Sequence, residues 1–583
     1  MPYIDSWRPD NLISTEELLA RIEEAVRTQA TALNLSDYCL TSIPPEIGQL
    51  IHLEELDLGF NRLTDLPLEI GQLTNLKRLF LNANRFTSVP PEILPLTQLT
   101  ELSLVFNELT ALPPQIELFT NLTELNLYGN HLTILPPQIG RLANLATLIL
   151  ANNPLAPLLP EIGQLCHLRV LDLSMTNLAT LPPEILQLTQ LTSLALVGNH
   201  LSVLPKEVFQ LTSLTELKLR RNAMRVLPPE ISLLTNLETL DLQELNHNNE
   251  DVPSLPTTIG RLTKLTTLIL DLNGLTSLPV EICQLTGLTV LSLNGNCFTF
   301  LPAEIGQLEN LTILDLGGNL LTILPPEFDR LTQLKELNLS ANPWNSLPPE
   351  VCHLPQLEGL RLFYCGLTSL PPEIGNLINL QTLDLSGNKL TMLPEEMKRL
   401  MQLSVLDLVR NQLSSLSYAV YRLKRLTELE LGHNQLASLS PEIGQLTELS
   451  LLSLYCNQLT SLPPEIGNLT GLTSLNLHEN RLTSLPRELG QLTALTWVNL
   501  YHNELTELPT EIENLIHLET LDIRHNRLTS LSLEVCRLKA LKDLFFEDNP
   551  LSIPEKWLHG YHEDLSELFA YVEQQAEGSP PGP

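Results

Sequence analysis

Hydrophobic residues recur along this chain with a period of 23 residues. The unit that begins at Leu53 has the pattern LxxLxLxxNxLxxLPxEIGxL, and a closely similar pattern returns at Leu76. Its LxL segment alternates apolar and polar positions, which predicts a short strand with its leucines on one side. The proline and glutamate of the LPxEI segment suit the first turn of a short helical or 3-10 segment. The sequence therefore predicts one strand and one short turn in each repeat.

An asparagine marks the same position in almost every repeat, where the chain turns away from the strand. An amide side chain both donates and accepts hydrogen bonds, so it can satisfy backbone groups that stacking buries. The sequence thus predicts a ladder of asparagines. Four repeats carry another residue at the marker, namely Tyr38, Thr176, Leu245 and Cys365. We expect Leu245 to leave a gap in the ladder, beside an insertion of five residues within residues 246–251.

The repeat resembles that of the leucine-rich repeat proteins, in particular the Ras-group type of Shoc-2 scaffolds and of plant intracellular Ras-group proteins. The opening residues 21–25 and 32–36 and the closing residues 549–555 are similar to the caps of bacterial Roco repeat arrays. Roco proteins continue into a GTPase domain, whereas this sequence has no GxxxxGK[ST] phosphate loop. The resemblance therefore implies recognition or scaffolding without chemistry of its own.

Repeats that contact only their neighbours form a solenoid. We predict an α/β solenoid, a leucine-rich repeat horseshoe of about 23 units, with parallel strands on its concave face and short helical or 3-10 turns on its convex face. Ser14 and Glu17 have the spacing of a helix capping box. The insertion is either a tolerated surface loop or a loop that contacts a partner. The expected segments are an N-terminal helical cap (1–30), the repeat array (31–549), a C-terminal helical cap (550–576) and a disordered tail (577–583).

The chain is strongly acidic, with 67 acidic against 34 basic residues and a net charge of −33. Nucleic-acid binding is therefore not expected. The glutamate of the turn segment accounts for 18 of these acids, so about half of the charge belongs to the repeat itself. The eight cysteines are scattered without a CxxC pair, as expected for free thiols in a reducing cytoplasm. The sequence begins without a signal peptide and has no apolar run of about 20 residues, so we predict a cytoplasmic protein without a membrane span.

Catalytic motifs of hydrolases, kinases and dinucleotide-binding enzymes are missing from the sequence. We therefore predict no enzyme activity and no cofactor. His502 and His525 occupy the same position in adjacent repeats, and His478 lies one position over in the preceding repeat. Metal binding needs such proximity, but we find no cysteine or carboxylate at a clear ligand spacing. We interpret these histidines as surface residues or protein contacts and expect no metal site.

Binding should use the outward-facing strand positions, because these vary whereas the leucines recur. The two positions that flank the central strand leucine hold 15 acids and three bases, so a protein partner with a basic rim would fit. Large side chains of the kind that dominate interface energies gather in two groups. The C-terminal group consists of Tyr455, His478, Trp497, Tyr501, His502, Arg524 and His525, with His433 beside it. The N-terminal group consists of Phe60, Phe80, Phe106 and Tyr128.

A third group is basic and lies between the other two in the sequence; it consists of Lys218, Arg220, Arg221 and Arg225. For all three groups the alternative is incidental surface variation. The predicted function is that of a monomeric intracellular protein–protein interaction or scaffold protein that binds a partner on its concave face. The alternative is a detached regulatory or recognition arm of a separately encoded GTPase or kinase signalling system.

Overall fold

The computed structural model describes residues 13–245, 255–557 and 565–576. The chain divides into two compact units, Met1–Leu291 and Ser292–Pro583. Both units are built from repeats in which a three-residue strand is followed by a short 3-10 turn. The predicted solenoid of parallel strands and short turns is therefore confirmed. The expected insertion at 246–251 and the expected tail at 577–583 lie outside the described residues.

The strands follow the leucine period from one end of the array to the other. In chain order, β1 to β23 are Ala32–Asn34, Glu55–Asp57, Arg78–Phe80, Glu101–Ser103, Glu124–Asn126, Thr147–Ile149, Val170–Asp172, Ser193–Ala195, Glu216–Lys218, Thr239–Asp241, Thr267–Ile269, Val290–Ser292, Ile313–Asp315, Glu336–Asn338, Gly359–Arg361, Thr382–Asp384, Val405–Asp407, Glu428–Glu430, Leu451–Ser453, Ser474–Asn476, Trp497–Asn499, Thr520–Asp522 and Asp543–Phe545.

Helical segments occupy the other side of each repeat and both ends of the array. The α-helices α1 and α2 are Thr15–Thr28 and Ser566–Ala576. The 3-10 turns are Pro45–Gln49, Leu68–Gln72, Pro91–Ile93, Pro114–Leu118, Pro137–Arg141, Pro160–Gln164, Pro183–Gln187, Lys206–Gln210, Pro229–Leu233, Thr257–Arg261, Val280–Gln284, Ala303–Gln307, Pro326–Arg330, Pro349–His353, Pro372–Asn376, Glu395–Arg399, Val420–Arg422, Pro441–Gln445, Pro464–Asn468, Arg487–Gln491, Thr510–Asn514, Val535–Arg537 and Glu555–Trp557.

Consecutive strands pair in parallel and in register within each unit. In the first unit Leu56 of β2 lies opposite Leu79 of β3, and in the second unit Leu406 of β17 lies opposite Leu429 of β18. These leucines are fully buried. A shift of one residue would turn them to solvent, so the leucine pattern fixes the register. The strand residues on either side of each leucine point outward and form what we call the strand face.

The predicted asparagine ladder is present. The Asn84 side chain donates from Nδ2 to the carbonyls of Leu58 (2.9 Å) and Leu81 (3.2 Å). Its Oδ1 accepts the backbone N–H of Leu63 at 2.9 Å. Each amide therefore joins the backbone of two consecutive repeats in the buried interior, where unpaired polar groups would be costly.

Departures from asparagine are compensated by other donors nearby. At Thr176 the hydroxyl donates to the Leu173 carbonyl at 2.6 Å. At Cys365 the thiol itself donates to the Leu339 carbonyl at 3.4 Å. The Trp344 indole adds a second donor to this carbonyl, with Nε1 at 2.9 Å. The sequence pattern did not reveal the indole contact, because Trp344 lies in the preceding repeat.

At Leu245 the ladder is replaced only on its acceptor side. The main-chain carbonyl of Leu245 accepts the N–H of Met224 at 2.9 Å. Its own N–H donates to Oδ1 of Asn273 at 2.9 Å. The backbone therefore takes over the acceptor role of the absent amide, whereas the apolar side chain cannot donate, so the expected gap is limited to the donor side.

Both ends of the array carry the predicted helices. At α1 the Ser14 hydroxyl accepts the N–H of Glu17 at 3.1 Å and the Glu17 carboxylate accepts the N–H of Ser14 at 3.0 Å, which is the expected capping box. Leu18 and Ile22 of α1 are buried against the array, as are Leu568 and Val572 of α2. Within the described ranges, neither α-helix is long and apolar enough to cross a membrane.

Candidate functional site

Two positions in each repeat direct side chains outward beyond the strand. A leucine follows each strand, and we call the residue after this leucine the face position. The next residue is the turn position; in the repeat of Glu101–Ser103 these are Val105 and Phe106. The turn position has a left-handed backbone, with φ of 51° at Phe106 and 52° at Tyr364, and it is glycine at Gly129 and Gly387. Glycine takes this conformation without steric cost, whereas other residues do not. The fold therefore does not require a large side chain at the turn position.

Four rings of the C-terminal group form a series along consecutive repeats of the second unit. Tyr455 and His478 are stacked, with centroids 4.7 Å apart and an interplanar angle of 14°. His433 meets Tyr455 edge-on at 5.1 Å, and Tyr501 lies 6.5 Å from His478. We call this series the aromatic stack. It joins the face positions Tyr455, His478 and Tyr501, which were selected from the sequence, to the turn position His433.

Arg524 extends the stack but is not free to meet a partner's carboxylate. Its guanidinium lies over the rings of Tyr501 (5.4 Å) and Phe545 (5.1 Å). It is also bound to its own strand, with Nε 3.0 Å from Oδ1 of Asp522 and Nη2 2.5 Å from Oδ2. The sequence pattern indicates an exposed cation at Arg524. The structure shows instead a neutralised side chain that holds the end of the stack.

The remaining residues of the C-terminal group lie beside the stack. His525 meets Tyr501 edge-on at 5.1 Å and lies 6.1 Å from His502. Nε2 of His525 is 3.0 Å from a carboxylate oxygen of Asp548. Trp497 belongs to strand β21 and is half-buried; among the described residues it makes no ring contact with the stack.

Two open hollows border the aromatic stack. The Tyr501 hollow, of about 300 Å³, is lined by His478, Glu479, Asn499, Tyr501, Asp522 and Arg524. The Tyr364 hollow, of about 390 Å³, is lined by Tyr364, Ser386, Gly387, Asp407, Val409, Arg410, Glu430, Ser453, Tyr455 and Asn476. The stack thus separates two concave sites of side-chain size, and Tyr455 belongs to the second of them.

Two carboxylates, Asp407 and Glu430, line the Tyr364 hollow. Asp384, Asp407 and Glu430 occupy the same position of the paired strands β16, β17 and β18. Burial raises the pKa of Asp407 to about 6, and the charges of Asp384 and Glu430 add to this rise. Burial also raises the pKa of Glu430. The guanidinium of Arg410 lies 3.4 Å from the hydroxyl of Tyr364 at the edge of the hollow.

The N-terminal group is only partly assembled. Phe106 and Tyr128 meet edge to face, with centroids 5.1 Å apart. Phe60 is half-exposed and Phe80 is partly buried. Within the described part of the chain neither of them joins the Phe106–Tyr128 pair through a ring contact. The structure therefore supports a pair here, and not a surface of four aromatic side chains.

Two of the four cations of the basic group form ion pairs with carboxylates of their own chain. Nζ of Lys218 lies 2.7 Å from a carboxylate oxygen of Glu216. Arg221 forms an ion pair with Glu244 of the next repeat. A partner would have to displace these carboxylates, so the cluster offers less free positive charge than its sequence indicates.

Tyr364 is a functional candidate that the sequence pattern did not single out. It is 57% exposed, more than Phe60 or Phe106, and its ring covers Gly387 so closely that a Cβ atom there would clash. The signal was available in the sequence, because Tyr364 occupies the same turn position as Phe60 and Phe106. The register of 23 residues places Asp407 beside Glu430, but only the structure shows that Tyr364, from an earlier repeat, lines the same hollow as these two carboxylates.

Three leucine-rich repeat families match separate parts of the chain. The family described as leucine-rich repeat region matches residues 156–253 and 348–459. A family described as leucine rich repeat matches 97–155, 263–321, 302–344 and 447–505. A second family of that description matches 52–73 and 517–538. Such families are typically non-enzymatic binding domains, and no catalytic family was found.

Solved structures of other repeat proteins share the fold. A leucine-rich repeat protein of Leptospira interrogans is 42% identical, with a TM-score of 0.60, over 66% of this chain and 98% of that one. The plant peptide hormone receptor RGFR1, solved with RGF2, is 32% identical, with a TM-score of 0.56, over 89% of this chain and 86% of that one. The Arabidopsis receptor kinase HAESA, solved with the peptide hormone IDA and the co-receptor SERK1, is 25% identical, with a TM-score of 0.53, over 92% and 93%.

Comparison with curated proteins gave no significant match. The repeat families and the structural relatives nevertheless agree with the architecture described above. The repeat pattern, the parallel strands and the asparagine ladder are all those of one family. The chain therefore belongs to the leucine-rich repeat proteins, whose fold generally mediates protein–protein interaction.

Proposed function

We propose that this chain is a protein-binding module that holds an extended segment of a partner on the strand face of its second unit. A lysine or arginine of that segment enters the Tyr364 hollow, and an apolar or aromatic side chain packs on the aromatic stack. The observation that carries the proposal is the Tyr364 hollow itself, which is lined by two carboxylates, Asp407 and Glu430, and by two tyrosine rings. A third carboxylate, Asp384, lies beside Asp407 on the neighbouring strand.

The electrostatics of the hollow favour a cationic side chain. Asp384, Asp407 and Glu430 stand on consecutive strands, which are about 4.8 Å apart. A partner's ammonium or guanidinium group would relieve their mutual repulsion and lower the raised pKa of Asp407. Tyr364 and Tyr455 line the same hollow, and a cation over such rings contributes about 0.5–2 kcal/mol more.

The aromatic stack supplies the apolar part of the surface. Tyr455, His478 and Tyr501 present ring surface that the repeat does not require, since the same face position is Gly317 elsewhere in the second unit. Aromatic side chains in partly desolvated surroundings are typical interface hot spots. Arg524 contributes by fixing Tyr501 in place. The expected partner segment therefore combines a basic residue with an apolar one.

The structural relatives support an extended ligand. RGFR1 and HAESA were solved with the peptide hormones RGF2 and IDA. An extended peptide has the length to cross several parallel strands, and each strand adds about 4.8 Å. The Tyr364 hollow and the stack involve consecutive repeats of the second unit, so one short peptide can reach both.

A peptide library displayed on phage tests the proposal even though the partner has not been identified. Selection on the native chain should enrich peptides that carry lysine or arginine beside an apolar residue. The double variant Asp407→Asn/Glu430→Gln should bind them at least about 30-fold more weakly, which corresponds to about 2 kcal/mol.

The matched control for this selection is Asp172→Asn in the first unit. Asp172 accepts a backbone N–H through Oδ1 at 2.9 Å, as Asp407 does, but its strand neighbours are Ile149 and Ala195. The control variant should bind the selected peptides like the native chain. Peptides without basic residues, or equal binding to the native chain and the double variant, would contradict the proposal.

We further propose that the chain works in a reducing cytoplasm, as the resemblance to Ras-group repeats implies. All eight cysteines are free thiols, and Cys166 and Cys297 among them are exposed. Thiol labelling in the source cells tests this placement. Cys166 and Cys297 should react with a maleimide before any reductant is added, whereas labelling that requires a reductant would contradict a cytoplasmic location.

A further inference from the structure

Three groups of metal-binding chemistry meet beside the aromatic stack. The sulfur of Cys456, a ring nitrogen of His478 and a carboxylate oxygen of Glu479 all lie within 4.8 Å of one another. Cys456 and Glu479 occupy the turn positions of consecutive repeats, and His478 occupies the face position before Glu479. The expectation of no metal site rested on the spacing of ligands along the chain, which does not reveal turn positions that meet across neighbouring repeats.

His478 is oriented as ligating histidines commonly are. Its Nδ1 lies 2.8 Å from Oδ1 of Asn476, so a neutral ring donates from Nδ1 and keeps the lone pair of Nε2 for another group. Metal-bound histidines typically donate their second ring nitrogen to such an acceptor. The ring is also held by stacking on Tyr455.

A hydrogen bond joins the Cys456 thiol to the Glu479 carboxylate. Sγ of Cys456 donates to Oε2 of Glu479 at 3.1 Å. A divalent cation between these groups would displace the thiol proton and be bound by both the sulfur and the carboxylate.

We propose that Cys456, His478 and Glu479 bind one divalent transition-metal ion of the zinc class, with the remaining coordination position open to solvent or to a partner. A mixed set of sulfur, nitrogen and oxygen ligands suits zinc, and three protein ligands leave one position free. In a tetrahedral zinc site the ligand atoms are about 3.3–3.8 Å apart. Sγ of Cys456 and Oε2 of Glu479 are already 3.1 Å apart. Only the distances to the His478 nitrogen, which are within 4.8 Å, would have to shorten, by at most about 1 Å.

Cobalt binding to the full, reduced chain tests the site directly. Addition of Co²⁺ should produce a thiolate-to-cobalt absorption band in the near ultraviolet with a stoichiometry of one ion per chain, and Zn²⁺ should displace it. Asn476→Ala should weaken binding by about 10- to 100-fold, the usual effect of losing the acceptor behind a ligating histidine. Cys456→Ser should abolish the band, and His478→Gln should weaken binding by more than about 100-fold.

The exposed residues Cys297 and His517 provide matched controls, and their variants Cys297→Ser and His517→Gln should bind cobalt like the native chain. Calorimetry of Zn²⁺ binding in buffers of different ionisation enthalpy should detect release of about one proton, from Cys456. A missing absorption band, or a band that persists in Cys456→Ser, would overturn the proposal. The assay contains no peptide, and Asp407→Asn/Glu430→Gln should retain cobalt binding, so this site and the peptide surface can fail separately.

Discussion

Phe106 in the first unit and Tyr364 in the second are closely matched residues with different surroundings. Both occupy the left-handed turn position, with φ of 51° and 52°. Both are more than half exposed, and both cover the glycine at the same position of the next repeat, Gly129 and Gly387 respectively. By backbone, exposure and local packing alone, the two residues would be equal candidates for binding.

The residues that surround Phe106 and Tyr364 differ in charge. Each ring has an edge-on partner in its own chain, Tyr128 for Phe106 and Phe363 for Tyr364, so the difference lies in the charges nearby. Tyr364 borders a hollow that contains Asp407 and Glu430, whose pKa values are raised by burial. An exposed aromatic residue on a repeat protein is therefore informative when it stands beside charges that its own chain leaves poorly compensated.

The largest expected contrast is in peptide binding. Tyr364→Ala should weaken the binding of peptides selected on the native chain by about 10- to 30-fold, because it removes one wall of the hollow. Phe106→Ala should change the affinity by less than about twofold. Isothermal titration calorimetry measures both. A larger loss from Phe106→Ala would move the site to the first unit.

The second contrast concerns stability, and it compares Asp407 with Asp172. Asp407→Asn should stabilise the chain by about 1–2 kcal/mol at pH 7.5, because asparagine keeps the acceptor for the Val409 N–H and removes a poorly solvated charge. Asp172→Asn, which lies between apolar strand neighbours, should change stability by less than about 0.5 kcal/mol. Chemical denaturation monitored by circular dichroism measures both values.

The stabilisation by Asp407→Asn should depend on pH with a definite sign. The pKa of Asp407 is raised from its ordinary value of 3.8 to about 6, so the folded state holds this proton more tightly than the unfolded state. The favourable contribution of protonated Asp407 is present below pH 3.8 and is lost as the pH rises through 6. The advantage of the variant should therefore vanish near pH 4. A pH-independent advantage would contradict the proposed electrostatic strain.

The smallest contrast tests the turn position itself. Tyr364→Gly and Phe106→Gly should each raise stability by about 0.5–1 kcal/mol, because glycine removes the strain of a left-handed backbone. Only Tyr364→Gly should also weaken peptide binding. A gain in stability with a loss of binding identifies a residue kept for function, whereas loss of stability in both variants would show that the rings mainly support the fold.

The fold could be predicted from the sequence because the same pattern of strand and turn residues recurs in almost every repeat. The leucine register placed the strands, and the Ser14–Glu17 spacing placed the first capping box. The additional contacts around the departures from asparagine could not be predicted. The Trp344 indole joins the thiol of Cys365 at the Leu339 carbonyl, and the Leu245 carbonyl replaces a side-chain acceptor, because the backbone groups bond to whichever partner lies within reach.

The candidate site was predicted in part. The aromatic stack follows from the register, since residues 23 positions apart must lie on neighbouring strands. The register does not give side-chain conformations, so it could not show that Arg524 turns back to Asp522. It also could not show that the Cys456 thiol donates a hydrogen bond to the Glu479 carboxylate. Backbone positions recur in every repeat, but the pairing of charged side chains depends on rotamers, and these differ from one repeat to the next.

A double-mutant cycle shows most directly whether the Tyr364 hollow binds a cationic side chain. The affinity of one selected peptide and of its lysine-to-glutamine form would be measured for the native chain and for Asp407→Asn/Glu430→Gln. We predict a coupling energy of at least about 1.5 kcal/mol between the peptide cation and the carboxylates. A coupling energy below about 0.3 kcal/mol would contradict this binding mode, because the cation would then bind elsewhere.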